Sequence, residues 1–329
     1  MSITTRGTIS SLVMLRWLVI GIGDITTKRV IPAILEEPRS ELYGVVTRDL
    51  SKVDAHPGLF RAGTRVWTTL EEALQDAAID AVYVASPVLY HAEHTVAGLR
   101  AGKHVLCEKP VAMNYPEAQM MAAAGNASGR VLGFAYFRRL FPKLIRAKQL
   151  IAEGAIGQAV LAEAHCHGWL ESEERAWLRD PALAGGGPLY DIGSHRIDAM
   201  NFLFGAPQRA TGLLSNVVHQ FGVEDSATVL IDYASKVRGM VDVRWNSRVG
   251  RDQFRVIGTE GEMVLDHLHG PELSVCGRQE EHARHPNVHY PLVENFVGAV
   301  LDGTPVACGA DAAIQTDWVT AEVTRAGKE

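Results

Sequence analysis

Residues 16–26 read RWLVIGIGDIT. Arg16–Ile20 is a short apolar run, the pattern of a buried strand. Gly21-Ile22-Gly23 follows at once, and Val30, Ile31, Ile34 and Leu35 then recur at helical spacing. Strand, Gly-x-Gly turn and helix, in that order, bring backbone N–H groups and a helix N-terminus to where a pyrophosphate binds in dinucleotide folds. Gly21, Gly23, Asp24 and Ile25 are therefore the expected cofactor-binding residues of the turn. Thr26 stands where the third glycine of the fingerprint usually sits.

The alternation continues outward. Strands are expected at residues 42–46, 81–85, 104–107 and 131–134, with helices at 69–76, 91–101 and 116–124 between them. Repeated strand–helix units with short connections predict a doubly wound parallel Rossmann sheet, whose ligands sit beyond the carboxyl ends of its strands. Two further ends are informative: Ser86-Pro87, with His91 four residues on, and Glu108-Lys109-Pro110. Ser86, Pro87, His91, Glu108 and Lys109 are expected to border the cofactor. After the second strand the position for a ribose-binding acid is Thr47, and Arg48 follows it. An arginine there accommodates the 2′-phosphate of NADP, so NADP is favoured. NAD is the alternative, with Asp49 taking the ribose.

Composition narrows the function. A chain of 329 residues is long enough for two domains. Its net charge of −6 leaves no basic stripe for phosphates, which argues against nucleic-acid binding. No apolar run approaches the roughly 18 residues a bilayer span needs, so no membrane role is expected. The four cysteines are scattered and form no Cys-x-x-Cys pair, which suits a reducing cytoplasm. Residues 1–13 read as a tail, 14–135 as the dinucleotide-binding domain and 136–329 as a substrate-binding and oligomerisation domain.

The second half turns on residues 185–198, GGGPLYDIGSHRID. Three glycines lead into a helix on which Asp191, His195 and Asp198 would share one face. A histidine steered by a carboxylate is a proton-transfer device. Upstream, residues 158–168 alternate as a strand that turns His165 and His167 the same way. That pair could ligate zinc, but substrate hydrogen bonding is the preferred reading and no metal is expected. Strand-like runs at 210–217, 227–233, 239–245, 254–257 and 262–265 predict a large, mostly antiparallel open sheet in a C-terminal α+β domain. His267, His269, His282, His285 and His289 read as surface or rim residues.

With residues 101–112, AGKHVLCEKPVA, the chain resembles the glucose–fructose oxidoreductase / inositol dehydrogenase (Gfo/Idh/MocA) family. The resemblance runs from about Met14 to Ala326. It implies NAD(P)-dependent hydride transfer between nicotinamide and a sugar, polyol or cyclic diol. It places Lys109 near the nicotinamide, makes Asp191 and His195 the acid and histidine of a D-x-x-x-H motif, and implies that the Lys109–Pro110 bond is often cis. Arg139, His165, Asp191 and His195 are the expected substrate contacts, and Lys109, His195 and Asp191 the expected catalytic set. Which of Lys109 and His195 moves the proton stays open. A homodimer or homotetramer through the C-terminal sheet is expected. NAD-assisted hydrolysis or epimerisation, and non-catalytic NAD(P) sensing, are the competing functions.

Overall fold

The computed structural model describes residues 13–61, 63–171 and 173–327. The expected N-terminal tail, apart from Val13, lies outside the described residues.

Six parallel strands form the first sheet: β1 (Leu15–Ile20), β2 (Ser40–Val46), β3 (Arg65–Trp67), β4 (Ala81–Val84), β5 (His104–Cys107) and β6 (Leu132–Phe134), in the order β3-β2-β1-β4-β5-β6. That is the dinucleotide-fold order, with the crevice where it reverses between β1 and β4. β4 is buried throughout, as a strand with helices on both faces must be. β3 was not predicted: it is a three-residue edge strand whose Arg65 and Val66 are exposed.

The second sheet has eight strands: β7 (Ala159–Trp169), β8 (Pro207–Ser215), β9 (Ser226–Tyr233), β10 (Arg238–Arg244), β11 (Asn246–Gly258), β12 (Glu262–Val264), β13 (Glu272–Val275) and β14 (Arg278–Glu281). Their order is β14-β13-β12-β11-β7-β10-β9-β8. All neighbours are antiparallel except β10 and β7. The β13–β14 hairpin is not among the expected strands: β14 is polar throughout, and the alternation of β13 spans only four residues.

The two faces of this sheet differ. On one, Ala162, Ala164, Val229, Ile231, Val241, Val243, Phe254 and Val256 pack in the core with Leu144 and Ala147 of helix 142–152 and with Ile197 and Met200 of helix 194–204. Full burial of each large aliphatic contributes about 2 kcal/mol. The other face carries Leu213, 73 % exposed, and Leu230, 42 % exposed.

The C-terminal helices tie the halves together. Phe296, in helix 290–301, lies 5.2 Å from the Trp17 ring of β1. Helix 310–326 places Ala313 in the core behind β5 and Val319 and Val323 in the core of the second sheet.

Candidate active site

Three strand ends are laced together: Ala85 N–H donates to Ile20 O (3.0 Å) and Glu108 N–H to Val84 O (2.9 Å). Gly21 has φ +91°, and a Cβ there would sit 2.8 Å from Ala85 O, so only glycine fits the close approach of the two ends. Gly23 faces open space. The Thr26 hydroxyl, fully buried, accepts from Gly23 N–H (2.7 Å) and donates to Gly23 O (2.8 Å), closing the turn that a third glycine would otherwise close.

The residues present fit a nucleotide. Beside the turn lies a cavity of about 420 Å³ lined by Gly23, Asp24, Lys28, Lys52 and His56. Asp24 and Ile25 are exposed at its edge and Lys28 pairs with Asp24. Arg48 is exposed beyond the end of β2, whereas Asp49 spends its carboxylate on Ser51 N–H (3.1 Å) and Ser51 Oγ–H (2.5 Å). Thr47 bonds within the same turn, to Asp49.

The β5 end supplies Lys109, whose bond to Pro110 is cis. Lys109 donates from Nζ to Asp191 Oδ1 (2.9 Å) and to Asp191 O (3.1 Å). Arg175 Nη2 donates to Asp191 Oδ2 at 2.6 Å. Burial would push the Asp191 carboxyl up, but Lys109 and then Arg175 hold it down at about 2, so it is a carboxylate.

Asp191 does not touch His195 through a hydrogen bond. The expectation that it fixes the imidazole assumed α-helical spacing. Leu189–Gly193 is instead a π-helical turn, and the α-helix begins only at Ser194. The wider turn rotates Asp191 toward Lys109. His195, 6 % exposed, is edged by Tyr136 and by Phe137, whose ring centroid is 5.2 Å away. Its Nδ1 has no partner among the described residues. Burial first, then the charges of Arg138, Lys109 and Arg196, push the imidazole well below its usual value. A neutral imidazole can accept a proton, and the cations around it stabilise an oxygen that becomes negative.

Four expected contacts are placed elsewhere. Glu108 turns inward, accepting from Tyr83 O–H (2.8 Å) and facing His289 Nε2 (3.2 Å), so its carboxylate supports the β5 end from beneath. His91 is buried with Nδ1 2.9 Å from Pro110 O and Nε2 2.9 Å from Ser86 O; it clamps the Ser86-Pro87 and Lys109-Pro110 turns to each other. Arg139 is taken by Asp198, through Nε (2.9 Å) and Nη2 (2.7 Å) to Oδ1, because both are buried and each neutralises the other. His165 lies with His167 on the face of β7 opposite Ala162 and Ala164, away from the packed helices.

His165, His167 and Asp242 have ligand atoms within 4.8 Å of one another. Asp242 already accepts from Thr228 Oγ1–H (2.6 Å) and from Arg244 Nε and Nη2 (2.7 and 2.9 Å), and it lies 2.7 Å from His167 Nε2. That set satisfies the carboxylate without an ion.

Sequence reading did not single out Arg175 or Arg196, and it put His289 on the rim. His289 is 1 % exposed beneath Phe137, 5.0 Å from that ring. Arg175 and His289 reach the site from other segments, and Arg196 follows His195 on the same helix, where helical spacing turns it away from the Asp191–His195 face.

Residues 15–136 match an oxidoreductase family described as having an NAD-binding Rossmann fold, and residues 144–264 match the GFO/IDH/MocA C-terminal domain. The chain is 32 % identical to a 1,5-anhydro-D-fructose reductase of Ensifer adhaerens, over 76 % of this chain and 75 % of that one. It is 29 % identical to a trans-1,2-dihydrobenzene-1,2-diol dehydrogenase of Mus musculus, over 81 % and 79 %. The crystal structure of GenD2 from gentamicin A biosynthesis, in complex with NAD, superposes with a TM-score of 0.84 at 28 % identity, covering 100 % of this chain and 98 % of that one.

Proposed function

The chain belongs to the GFO/IDH/MocA family of NAD-binding oxidoreductases, and on that premise we propose that it interconverts a hydroxyl and a carbonyl on a sugar, polyol or cyclic diol, using NADP in preference to NAD. The observation that carries the reading is the Lys109–Asp191 pair at the end of β5, beside a neutral, buried His195. The reductase and diol dehydrogenase among its relatives support the substrate class. Bound nicotinamide supplies or takes the hydride at the carbinol carbon. His195 takes the hydroxyl proton in oxidation and returns it in reduction. Lys109, held by Asp191, stabilises the developing alkoxide. Gly21, Gly23, Asp24 and Ile25 hold the pyrophosphate, Ser86 and Pro87 flank the cofactor, and Arg48 with Lys52 meets the 2′-phosphate.

No helix among the described residues is long and apolar enough to cross a membrane. The four cysteines form no disulfide, in keeping with a cytoplasmic enzyme. The open face of the second sheet, with Leu213 and Leu230 exposed, is the surface through which we place a homodimer or homotetramer.

Titration with NADPH and NADH, followed by nicotinamide fluorescence, tests the cofactor reading. NADPH is expected to bind more tightly. NADH preference would overturn the role of Arg48 but keep the fold, and binding of neither would overturn the enzyme reading.

A further inference from the structure

Two adjacent arginines follow β6, and among the described residues only one is ion-paired. Arg139 is closed by Asp198. The guanidinium of Arg138, a residue 9 % exposed, has no hydrogen bond or ion pair among the described residues, and its Nε and Nη1 are buried and unmet. Its guanidinium lies 4.9 Å from the Phe137 ring centroid, and that ring edges His195 at 5.2 Å. The nearby charges do not answer it. Lys109 and Arg175 are held by Asp191, and Arg196 is held by Asp252 at 2.8 Å. Lys109, Arg138, Arg175 and Arg196 thus face only Asp191 and Asp252, and of the four cations Arg138 is the one without an ion pair among the described residues. Burial, and then Arg196, pull Arg138 down to about 9, and Asp252 and Asp191, which pair with other cations, only partly oppose them.

A buried unpaired cation is costly, and removing it from water is offset only when an anion meets it. We propose that the substrate is a sugar or cyclic polyol bearing a carboxylate, and that Arg138 binds this carboxylate while a separate carbinol reacts beside His195. The inference rests on the oxidoreductase reading and sharpens it. One planar guanidinium backed by an aromatic ring matches a planar carboxylate. A phosphate ester needs donors around three oxygens, and the next cation, Arg196, already gives Nη1 to Ile192 O and Nη2 to Asp252, leaving only Nε unmet.

The test uses matched pairs: D-glucose with D-glucuronate and D-galactose with D-galacturonate. Initial rates are measured with NADP and NAD on the wild type, Arg138→Gln and Arg138→Lys. The melting temperature of the NADPH-loaded protein is measured with each sugar in parallel. The wild type is expected to favour the acid of a pair by about 10- to 100-fold in kcat/KM, mainly through KM, the size of a lost charge-assisted hydrogen bond. Arg138→Gln should abolish the preference and Arg138→Lys retain part of it, with NADPH affinity unchanged in both. Turnover of neutral sugars with no acid preference, an acid preference that survives Arg138→Gln, or a preference for glucose 6-phosphate over glucuronate would each overturn the carboxylate site and leave the redox reading standing. Stabilisation by the acids that Arg138→Gln removes, without turnover of any sugar, would support the site and count against the redox reading. Neither turnover nor acid-specific stabilisation would overturn both.

Discussion

Residues 21–30 and 185–193 are both glycine-led entries into a helix through a π-helical turn, yet Gly23 of the first and Gly187 of the second serve opposite ends. At the first, Gly23 has nothing within 4 Å of where a Cβ would be, so its backbone is left bare for a ligand. The side chain of Thr26 is folded back into the turn. At the second there is no room: a Cβ on Gly186 would strike the Tyr190 ring, and one on Gly187 would strike Glu224 O. Those glycines let the loop pack against its own protein, which fixes the helix start that carries Asp191 and His195. The first loop recognises with backbone, the second with side chains mounted on a rigid base.

Four measurements press on that contrast. His195→Ala should cut turnover by about 10²–10⁴-fold, the range for a lost acid–base group, while leaving NADPH affinity within about twofold. An equal loss of affinity would mean that the second loop also builds the nucleotide site. The glycines themselves should separate next. Gly187→Ala should cost about 1–3 kcal/mol of stability in urea unfolding, because the backbone it meets cannot yield. Gly23→Ala should leave stability within about 0.5 kcal/mol yet weaken NADPH about 10-fold, by keeping the pyrophosphate off the backbone. Reversed outcomes would collapse the distinction between the loops. Arg48→Ala should weaken NADPH about 10-fold and NADH by less than about threefold, as loss of one charge-assisted contact predicts; matched losses would remove Arg48 from 2′-phosphate recognition.

The smallest effect is in pH. His195 must be neutral to accept a proton, and its environment lowers its pKa, so kcat/KM for oxidation should hold down to below about pH 6.5 before falling with acid. Arg138→Gln removes a repelling cation, so the imidazolium becomes easier to form and the acid limb should move up. Movement the other way, or none, would show that Arg138 does not act on His195.

The sequence was most legible where the signal is carried by neighbours along the chain. RWLVI followed by Gly-x-Gly was enough for β1 and its turn, and the same alternation located β2, β4, β5 and β6. β3 and β14 escaped because short, exposed edge strands carry almost no apolar period, and β13 because four alternating residues are too short a run to stand out. In the site, Lys109, Asp191 and His195 stood out by motif, and the structure does bring Lys109 to Asp191. The Asp191–His195 pairing failed because a π-helical turn, invisible in residue spacing, replaces the α-helical one. His165 and His167 do share a face, but alternation says only that, not which face looks toward His195.

What the sequence determined by itself was therefore the order and kind of most elements, the dinucleotide turn and the residues able to do acid–base work. Each of these follows from steric and apolar preferences acting within a few residues. The tertiary structure alone decided who meets whom: that Arg139 is neutralised and Arg138 is not, that Arg175 reaches Asp191 from the turn at 173–179, and that His289 is buried under Glu108. Polar groups pair across space, over separations of 59 residues for Arg139 and Asp198 and 181 for Glu108 and His289, and no local preference records that choice.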